Sequence, residues 1–387
     1  MFPYLVVFAS CAAFSALGCA YENKSRFLFY VSSGAVVLIL VLFAALRAQC
    51  VGTDTSGYAI SLYNLALASD SFMDFYTSDW LRTWGWSSVS TIEIGYLLFV
   101  WIASKLGSPQ VLLFLTSLFT VGPIYIALVL RRREIAPPVS LFVFMLLYFN
   151  VTLNAMRQWI ALSLLFLALV GLHDKDKTLH SQPLVYILLI IAAFFHASAV
   201  LGFLLLLVMR FMQCENSRLR IAIFPIFAIA LLAGVGVLRV LLISFGLVRY
   251  ANYLGDGTIG FSINQFILRL PFVFVAIELY RANVCDKRDA SFYLTISLVG
   301  LILGQLATLT DQSGRITLLF DMYIIPAVGC LCGPSTMVNR FKRCLAFKAS
   351  SSDLTLMASL LYCLVYWFYF YAIRNTGETI PYLFFWA

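Results

Sequence analysis

The stretch FLFYVSSGAVVLILVLFAAL, residues 27 to 46, has no charged side chain at any of its positions. A helix of roughly 20 mostly apolar residues is long enough to cross the hydrocarbon layer of a membrane. Similar segments recur along the 387 residues, which are 62% hydrophobic and only 11% charged. Because one globular core needs far less apolar sequence, we predict an all-α polytopic integral membrane protein.

About twelve segments are predicted to cross the membrane. They are Pro3 to Ala20, Phe27 to Leu46, Gln110 to Leu130, Val139 to Leu153, Met156 to Leu172, Pro183 to Phe195, Ala197 to Arg210, Ile221 to Leu238, Gln265 to Tyr280, Ser291 to Thr310, Ile316 to Cys332 and Leu354 to Ile373. The two segments beside His196 are short. The alternative is one long tilted helix there, which would reverse the orientation of everything downstream.

Lysines and arginines favour the break at His196, because they then gather in alternate loops that the positive-inside rule assigns to the cytoplasm. These loops contain Lys24 and Arg26; Arg131 to Arg133; Lys175 and Lys177; Arg210, Arg218 and Arg220; Arg281, Lys287 and Arg288; and Arg340, Lys342, Arg343 and Lys348. Both termini then face outward. The net charge of +8 reflects this topology, so it indicates no nucleic-acid partner.

We expect a single transmembrane domain over residues 1 to 387, with outer loops at about 47 to 92 and 248 to 264. Irregularly spaced aromatic residues in the first outer loop are typical of interfacial helices. The following stretch, EIGYLLFVWIASKL at 93 to 106, is short for a span and is predicted to be a re-entrant or interfacial helix. Such elements are buried in protein or line a wet cavity, so Glu93 is expected to border a cavity.

Basic residues assigned to the outer side are nearly all arginines. They are Arg47, Arg82, Lys105, Arg157, Arg239, Arg249, Arg269, Arg315 and Arg374. Lysine serves topology as well as arginine does, so this bias favours a planar donor fork that grips phosphate oxygens. The alternative is that the long side chains extend from helix ends toward the membrane surface.

Several polar clusters fall at the predicted outer ends of helices. They are Arg47 with Thr53, Asp54 and Thr55; Asn150, Asn154, Arg157 and Gln158; His196 with Ser198; Asp311, Gln312, Ser313 and Arg315; and, in the second outer loop, Arg249, Tyr250, Asn252 and Tyr253. A charge against hydrocarbon costs about 2.5 to 3.5 kcal/mol on insertion scales. Several charges on one side therefore indicate a shared polar cavity.

Each cluster also has a structural interpretation. The Gly52 to Thr55 string can be a turn that caps the next helix, and Arg157 can cap carbonyls or extend to the membrane surface. His196 can bond a carbonyl, and Arg249 and Arg315 are equally open to a structural role. Nine cysteines without a useful spacing indicate no disulfide framework and no zinc site, so no metal is expected.

The motifs resemble those of the EpsG family of bacterial polysaccharide polymerases, which is similar in role to Wzy-type O-antigen polymerases. The motifs are PYL at Pro3 to Leu5, VGTDT with a tyrosine at Val51 to Tyr58, EIGY at Glu93 to Tyr96, MRQWIA at Met156 to Ala161, FHASA at Phe195 to Ala199, RYANY at Arg249 to Tyr253, GR before the helix at Gly314 to Pro326, and IPY at Ile380 to Tyr382. They span nearly the whole chain. One departure is EIGY, where the family often has a proline after the glutamate.

The resemblance implies an enzyme of the bacterial cytoplasmic membrane, with its active site facing outward. It would transfer a growing glycan from undecaprenyl pyrophosphate to a lipid-linked acceptor unit, and so make O-antigen, capsular or exopolysaccharide. It also implies a possible chain-length regulator as partner. Arginines can stabilise a pyrophosphate leaving group without a metal, so no cofactor is expected.

From their shared side and depth, we assign the arginines to the lipid head groups. Arg157 and Arg315 are expected to clamp the donor pyrophosphate, while Arg47 and Arg249 hold the second head group or the acceptor. Three residues are candidates for the base that removes the acceptor hydroxyl proton, and they rank in the order Asp54, His196 and Glu93. The supporting polar residues are Thr53, Thr55, Asn154, Gln158 and Tyr253.

Other functions fit parts of the pattern. A membrane O-acyltransferase uses arginine and histidine in a polar cavity but takes its acyl donor from the cytoplasmic side. A lipid-linked oligosaccharide flippase needs polar groups along a route from both faces, and a related ligase would move finished glycan to another acceptor. Neither a cytoplasmic constellation nor a two-sided route is visible in the sequence.

Overall fold

The computed structural model describes residues 1–82, 85–173, 182–212, 217–245, 260–309, 313–333 and 349–386. Contacts divide the chain into two compact units. Unit 1 comprises Met1–Arg132, Ala136–Leu204 and Cys363–Ala387, and unit 2 comprises Arg133–Ile135 and Leu205–Tyr362. The single transmembrane domain and its two outer loops stay a prediction.

Helices form nearly all of the regular structure in the described residues. The first group is α1 (Phe2–Tyr21), α2 (Arg26–Ala45), α3 (Ile60–Ala68), α4 (Phe72–Thr77), α5 (Ile94–Lys105), α6 (Pro109–Leu130), α7 (Pro137–Leu147), α8 (Phe149–Thr152), α9 (Met156–Phe166) and α10 (Pro183–Phe195). The second group is α11 (Leu201–Met212), α12 (Ser217–Ala233), α13 (Val235–Ser244), α14 (Ile263–Ala282), α15 (Lys287–Leu303), α16 (Ser313–Asp321), α17 (Ile324–Cys332) and α18 (Ser351–Trp367). Short 3-10 or π-helical turns extend α9, α15 and α18 to Leu172, Thr308 and Ile373.

Seven helices of the described chain are long and apolar enough to cross a membrane, or eight if the bent pair α12 and α13 is one span. The chain is therefore a multi-pass helical membrane protein. Four of the twelve predicted spans correspond to shorter apolar helices, namely Pro137–Leu147, Met156–Leu172, Pro183–Phe195 and Ala197–Met212. The count of about twelve is therefore not confirmed, because these helices fall below the length of an ordinary span.

Local sequence signals explain where the helices begin. Proline occupies the first turn of α1, α6, α7 and α10, where its missing N–H has no intrahelical partner to lose. The Ser25, Ser108 and Ser262 side chains accept hydrogen bonds from the first-turn amides of α2, α6 and α14. The break at His196 is confirmed, because α10 ends at Phe195 and a 3-10 turn, Ala197–Val200, precedes α11.

The segment predicted to form the first outer loop is not entirely helical. It forms α3 and α4 as predicted, but Asp79–Arg82 (β1) and Gly85–Ser88 (β2) pair as an antiparallel hairpin. The prediction of helices was wrong for this part. Tryptophans 80, 84 and 86 follow an alternating pattern that suits a strand, and the serines and glycine among them are weak helix formers.

An aromatic cluster forms the centre of unit 1. The ring of Phe43 stacks on Tyr382 with centroids 4.1 Å apart, and Tyr4 meets both rings edge-on. Phe8 packs edge-on against Phe149 at 5.7 Å. These contacts join α1, α2 and α8 to the C-terminal segment that follows α18. The polar groups around Arg47 and Arg157, described next, also lie in unit 1.

Candidate functional site

The Gly52–Thr55 turn lies directly against the segment that precedes α9. Gly52 has φ +90°, and a Cβ there would lie 2.9 Å from the Leu153 carbonyl oxygen, so only glycine fits this approach. The backbone N–H and hydroxyl of Thr53 both donate to Oδ1 of Asn154, at 2.6 and 3.0 Å. The turn is therefore held to Asn154 at the end of the preceding helical segment. Asp54 makes no side-chain hydrogen bond to cap the following turn.

Arg47 is buried beneath this turn, with 1% of its surface exposed. Its Nε and Nη2 both donate to the Thr55 hydroxyl at 3.2 Å, and Nη1 donates to the carbonyl of Ala44. Nη2 also lies 3.4 Å from the Leu153 carbonyl oxygen. Burial lowers the pKa of Arg47 to about 10, while the nearby phenols act to raise it. Arg47 thus holds protein groups together rather than facing a cavity.

Glu93 and Arg157 form an ion pair at the start of α5 and α9. Nη1 of Arg157 donates to one carboxylate oxygen of Glu93, and the N–H of Ala197 donates to the other at 3.3 Å. Each of the two charged side chains is 21% exposed. The pair therefore joins three segments that are distant in sequence, and both of its side chains are partly exposed.

Tyr58 lies under the guanidinium of Arg157, whose central carbon is 5.2 Å from the ring centroid. A cation over an aromatic face is attracted by the ring's quadrupole, so Tyr58 orients Arg157. Burial raises the pKa of the Tyr58 phenol; Tyr96 and Asp54 raise it further, whereas Arg157 lowers it. The charge of Asp54 therefore acts on Tyr58, which was not among the predicted site residues.

Gly95 allows α5 to approach the end of α10. A Cβ at Gly95 would lie 2.7 Å from the Phe194 carbonyl oxygen. This close packing brings Glu93 beside the amide of Ala197. The EIGY motif therefore keeps a glycine for helix contact, although it lacks the proline often found after the glutamate in the family it resembles.

His196 separates α10 from the following 3-10 turn. Its Nδ1 accepts the N–H of Ser198 at 3.3 Å and lies 2.7 Å from the Ser198 hydroxyl. Since Nδ1 is an acceptor, a neutral ring carries its proton on Nε2. The ring therefore caps the 3-10 turn through Ser198, while a bond to a carbonyl and a role as base both stay predictions.

The C-terminal segment contacts the same region and was missing from the predicted site. The Thr379 hydroxyl accepts a hydrogen bond from Asn150 at 2.8 Å, and the Thr379 carbonyl accepts one from the Tyr4 hydroxyl at 2.9 Å. The N–H of Gly52 donates to the Glu378 carbonyl at 3.0 Å. For the C-terminal side of these contacts, the sequence signal was the IPY motif, which directly follows Thr379.

The other predicted site residues are placed as follows. Thr55 and Gln158 are buried in unit 1, at 0% and 3% exposure, and the Thr55 hydroxyl accepts hydrogen bonds from Arg47. Arg315 is exposed in the first turn of α16 in unit 2. Arg249 and Tyr253 lie outside the described residues. The ligand roles assigned to all these residues stay predictions.

Acidic, histidine and cysteine side chains are common metal ligands in proteins. Across the described part of the chain, no group of three or more of them could hold a metal ion. The expectation that the protein needs no metal stays a prediction.

A family model described as the EpsG family matches residues 30–384, nearly the whole chain. The match includes every motif named above except PYL at Pro3 to Leu5. None of the curated proteins matches, and neither does any solved structure.

Proposed function

The chain belongs to the EpsG family, a Wzy-like family of polysaccharide polymerases, and on that premise we propose that it joins undecaprenyl-pyrophosphate-linked repeat units. The reaction takes place at the outer face of the bacterial cytoplasmic membrane, and its product is O-antigen, capsular or exopolysaccharide. The observation that carries the site assignment is the accessible Glu93–Arg157 ion pair.

The proposed reaction transfers the growing glycan between two lipid carriers. A hydroxyl of the acceptor sugar attacks the anomeric carbon of the donor glycan and forms the new glycosidic bond. The bond from that carbon to the pyrophosphate oxygen breaks, and its electron pair leaves with the lipid pyrophosphate. The hydroxyl proton goes to a base. The site therefore needs a cation for the leaving group and an acceptor for the proton.

Arg157 is proposed to bind the donor pyrophosphate. Its guanidinium is part-exposed, is oriented by Tyr58 and Glu93, and has donors beyond the one that contacts Glu93. Pyrophosphate binding by Arg315 and acceptor binding by Arg249 stay proposals that rest on the sequence pattern alone. Arg47 is proposed to position the Gly52–Thr55 turn, because burial removes it from direct contact with substrate.

Glu93 is proposed as the base ahead of Asp54 and His196. Its carboxylate lies beside the proposed pyrophosphate ligand, and the Ala197 amide fixes its second oxygen. Because Glu93 lies beside the arginine that would bind the pyrophosphate leaving group, it can accept the proton of the attacking hydroxyl in the same site. The lipid bilayer holds both substrates, no cofactor takes part, and a chain-length regulator is the expected protein partner.

Arg157→Lys tests the clamp. Lysine keeps the charge but loses the planar fork, so we expect turnover to fall by about 10²-fold, the cost typical of removing one transition-state donor. The measurement is the amount of lipid-linked intermediates of each length, with protein abundance measured in parallel. Full activity with lysine would show that the paired donors of the planar guanidinium are not required.

Alanine substitutions at Asp54, Glu93 and His196 test the base. Glu93→Ala is expected to lower turnover most, because it removes the carboxylate next to Arg157 and leaves that charge without its partner. Turnover is compared at equal protein abundance. Wild-type turnover in all three variants would place the base elsewhere or make it unnecessary.

Deletion of the gene in its own host tests the function as a whole. The expected result is that single repeat units reach the outer face while long chains vanish from the lipid-linked and surface glycan. An unchanged ladder of lengths would assign that polymerisation to another protein. Missing acyl groups would instead indicate an acyltransferase, and units trapped inside would indicate a flippase.

A further inference from the structure

Unit 2 contains a second buried ion pair, which the proposed reaction does not use. Nε of Arg269 donates to Oδ1 of Asp321 at 3.2 Å, and Nη2 lies 2.9 Å from Oδ2. The two side chains are 9% and 12% exposed, and each lies within a helix that could span the membrane. Burying two charges is costly, so a buried pair alone is weak evidence of a gain in stability.

The remaining donors of Arg269 contact the two neighbouring helix ends. Nη1 donates to the Gln265 side chain in the first turn of α14. Nη2 donates to the Thr317 hydroxyl at 2.6 Å, and that hydroxyl donates in turn to the Gly314 carbonyl at 3.0 Å. Gly314 directly precedes Arg315. One side chain therefore connects the ion pair to the backbone that carries Arg315.

Two glycines facing the pair make room for it. A Cβ at Gly304 would lie 2.9 Å from Nη1 of Arg269, and one at Gly300 would lie 3.0 Å from Oδ1 of Asp321. The next residue, Gln305, is 8% exposed and accepts the Ser262 N–H at 2.7 Å. Within the described residues, its buried Nε2 has no hydrogen-bond partner. The ends of α14, α15 and α16 thus meet in one polar core.

We propose that the Arg269–Asp321 pair positions Arg315 for the lipid pyrophosphate. Through Thr317 the pair fixes the first turn of α16, and with it the backbone that carries Arg315. Arg269 itself is a positioning residue, since its donors are directed at Asp321, Gln265 and Thr317. The proposal rests on the proposed function, which assigns Arg315 to the pyrophosphate.

A double-mutant cycle tests this coupling in the full-length protein with lipid-linked repeat units. Arg315→Ala and Arg269→Lys are each expected to lower kcat/KM by about 10- to 100-fold, the range of a lost hydrogen bond to a charged group. The double variant should be no slower than Arg315→Ala, because Arg269 acts through Arg315. Gly304→Ala, which displaces the guanidinium while keeping both charges, should resemble Arg269→Lys.

Arg288→Lys is the matched control, because Arg288 pairs with Asp286 in the same unit but both side chains are 37% exposed. It should leave kcat/KM unchanged. Costs that multiply in the double variant would overturn the proposal. A wild-type rate in Arg315→Ala, with polymer still formed, would overturn it too while leaving the polymerase function intact.

Amide hydrogen exchange supplies a readout that does not depend on catalysis. Arg269→Lys and Gly304→Ala should both speed exchange in residues 313–317, whereas Arg288→Lys should not. Unchanged exchange in both variants would overturn the proposal even if activity fell. If exchange is faster in these variants but the wild-type protein makes no polymer, the positioning of α16 is supported. The proposed function is then rejected.

Discussion

Two arginines of unit 1 differ sharply in burial. Arg47 is 1% exposed, whereas the Arg157 side chain is 21% exposed. Arg47 directs its donors at Thr55 and at two backbone carbonyls, so the protein itself uses its fork. Arg157 combines one carboxylate with an aromatic face and keeps donors for a ligand. The same residue type is therefore enclosed by protein groups at one position and partly exposed at the other.

Arg47→Lys is predicted to reduce stability. Lysine cannot reach Thr55 and the carbonyl of Leu153 together, so buried acceptors lose partners at a cost of about 1 to 3 kcal/mol. The unfolding temperature in detergent should drop by several degrees. Arg157→Lys is the matched control and should keep that temperature. A stable Arg47→Lys protein with lost turnover would instead show that Arg47 meets substrate.

At the scale of the element, the main features are the short length of α5 and its close contact with α10. Its 12 residues extend about 18 Å at 1.5 Å per residue, well below the roughly 30 Å of the hydrocarbon layer. The sequence predicted a short non-spanning helix at 93 to 106, and the structure places Ile94–Lys105 among the shorter apolar helices. Its depth in the membrane stays a prediction. Its contact with α10 brings Glu93 to Ala197.

Gly95→Ala is predicted to separate Glu93 from its partners. The added methyl would meet the Phe194 backbone, which cannot rotate away, so α5 must shift. A displacement of this size in a site costs about 10- to 100-fold in turnover. Gly122→Ala in α6 is the matched control, because nothing lies within 4 Å of its Cβ. Equal turnover in both variants would show that this helix contact does not set the site.

At the scale of the molecule, charged loops agree with the predicted sidedness. Arg132 and Glu22, from two loops assigned to the cytoplasm, form an ion pair in unit 1. Residues assigned to the outer side, such as Glu93, Arg157 and Thr53, contact partners that were also assigned to that side. Each of these contacts joins residues of the same predicted side, and the orientation of the loops across the membrane stays a prediction.

Cysteine labelling tests that orientation. Cys50 is exposed in the predicted first outer loop, and Cys285 is half-buried beside Lys287 in a predicted cytoplasmic loop. In variants that retain one of the two as their only cysteine, a membrane-impermeant maleimide should label Cys50 in intact cells. It should label Cys285 only after permeabilisation. The reverse pattern would place the candidate site in the cytoplasm.

Local sequence was sufficient for the class of protein, most helix positions, the break at His196 and the family motifs. Hydropathy, proline and capping serines act within a few residues, so one sequence reveals them. The count of spans was harder to predict, because α7, α9, α10 and α11 are apolar but short. The hairpin was missed because aromatic residues suit interfacial helices and strands alike.

By itself, the sequence determined that the chain is a helical membrane protein of this family, since apolar length and motif order are properties of neighbouring residues. Only the tertiary structure decided that Glu93 pairs with Arg157, that Arg47 is buried, and that Arg269 pairs with Asp321. These partners are many residues apart. Their contacts depend on which helices pack together and how closely glycines let them approach, which no local pattern specifies.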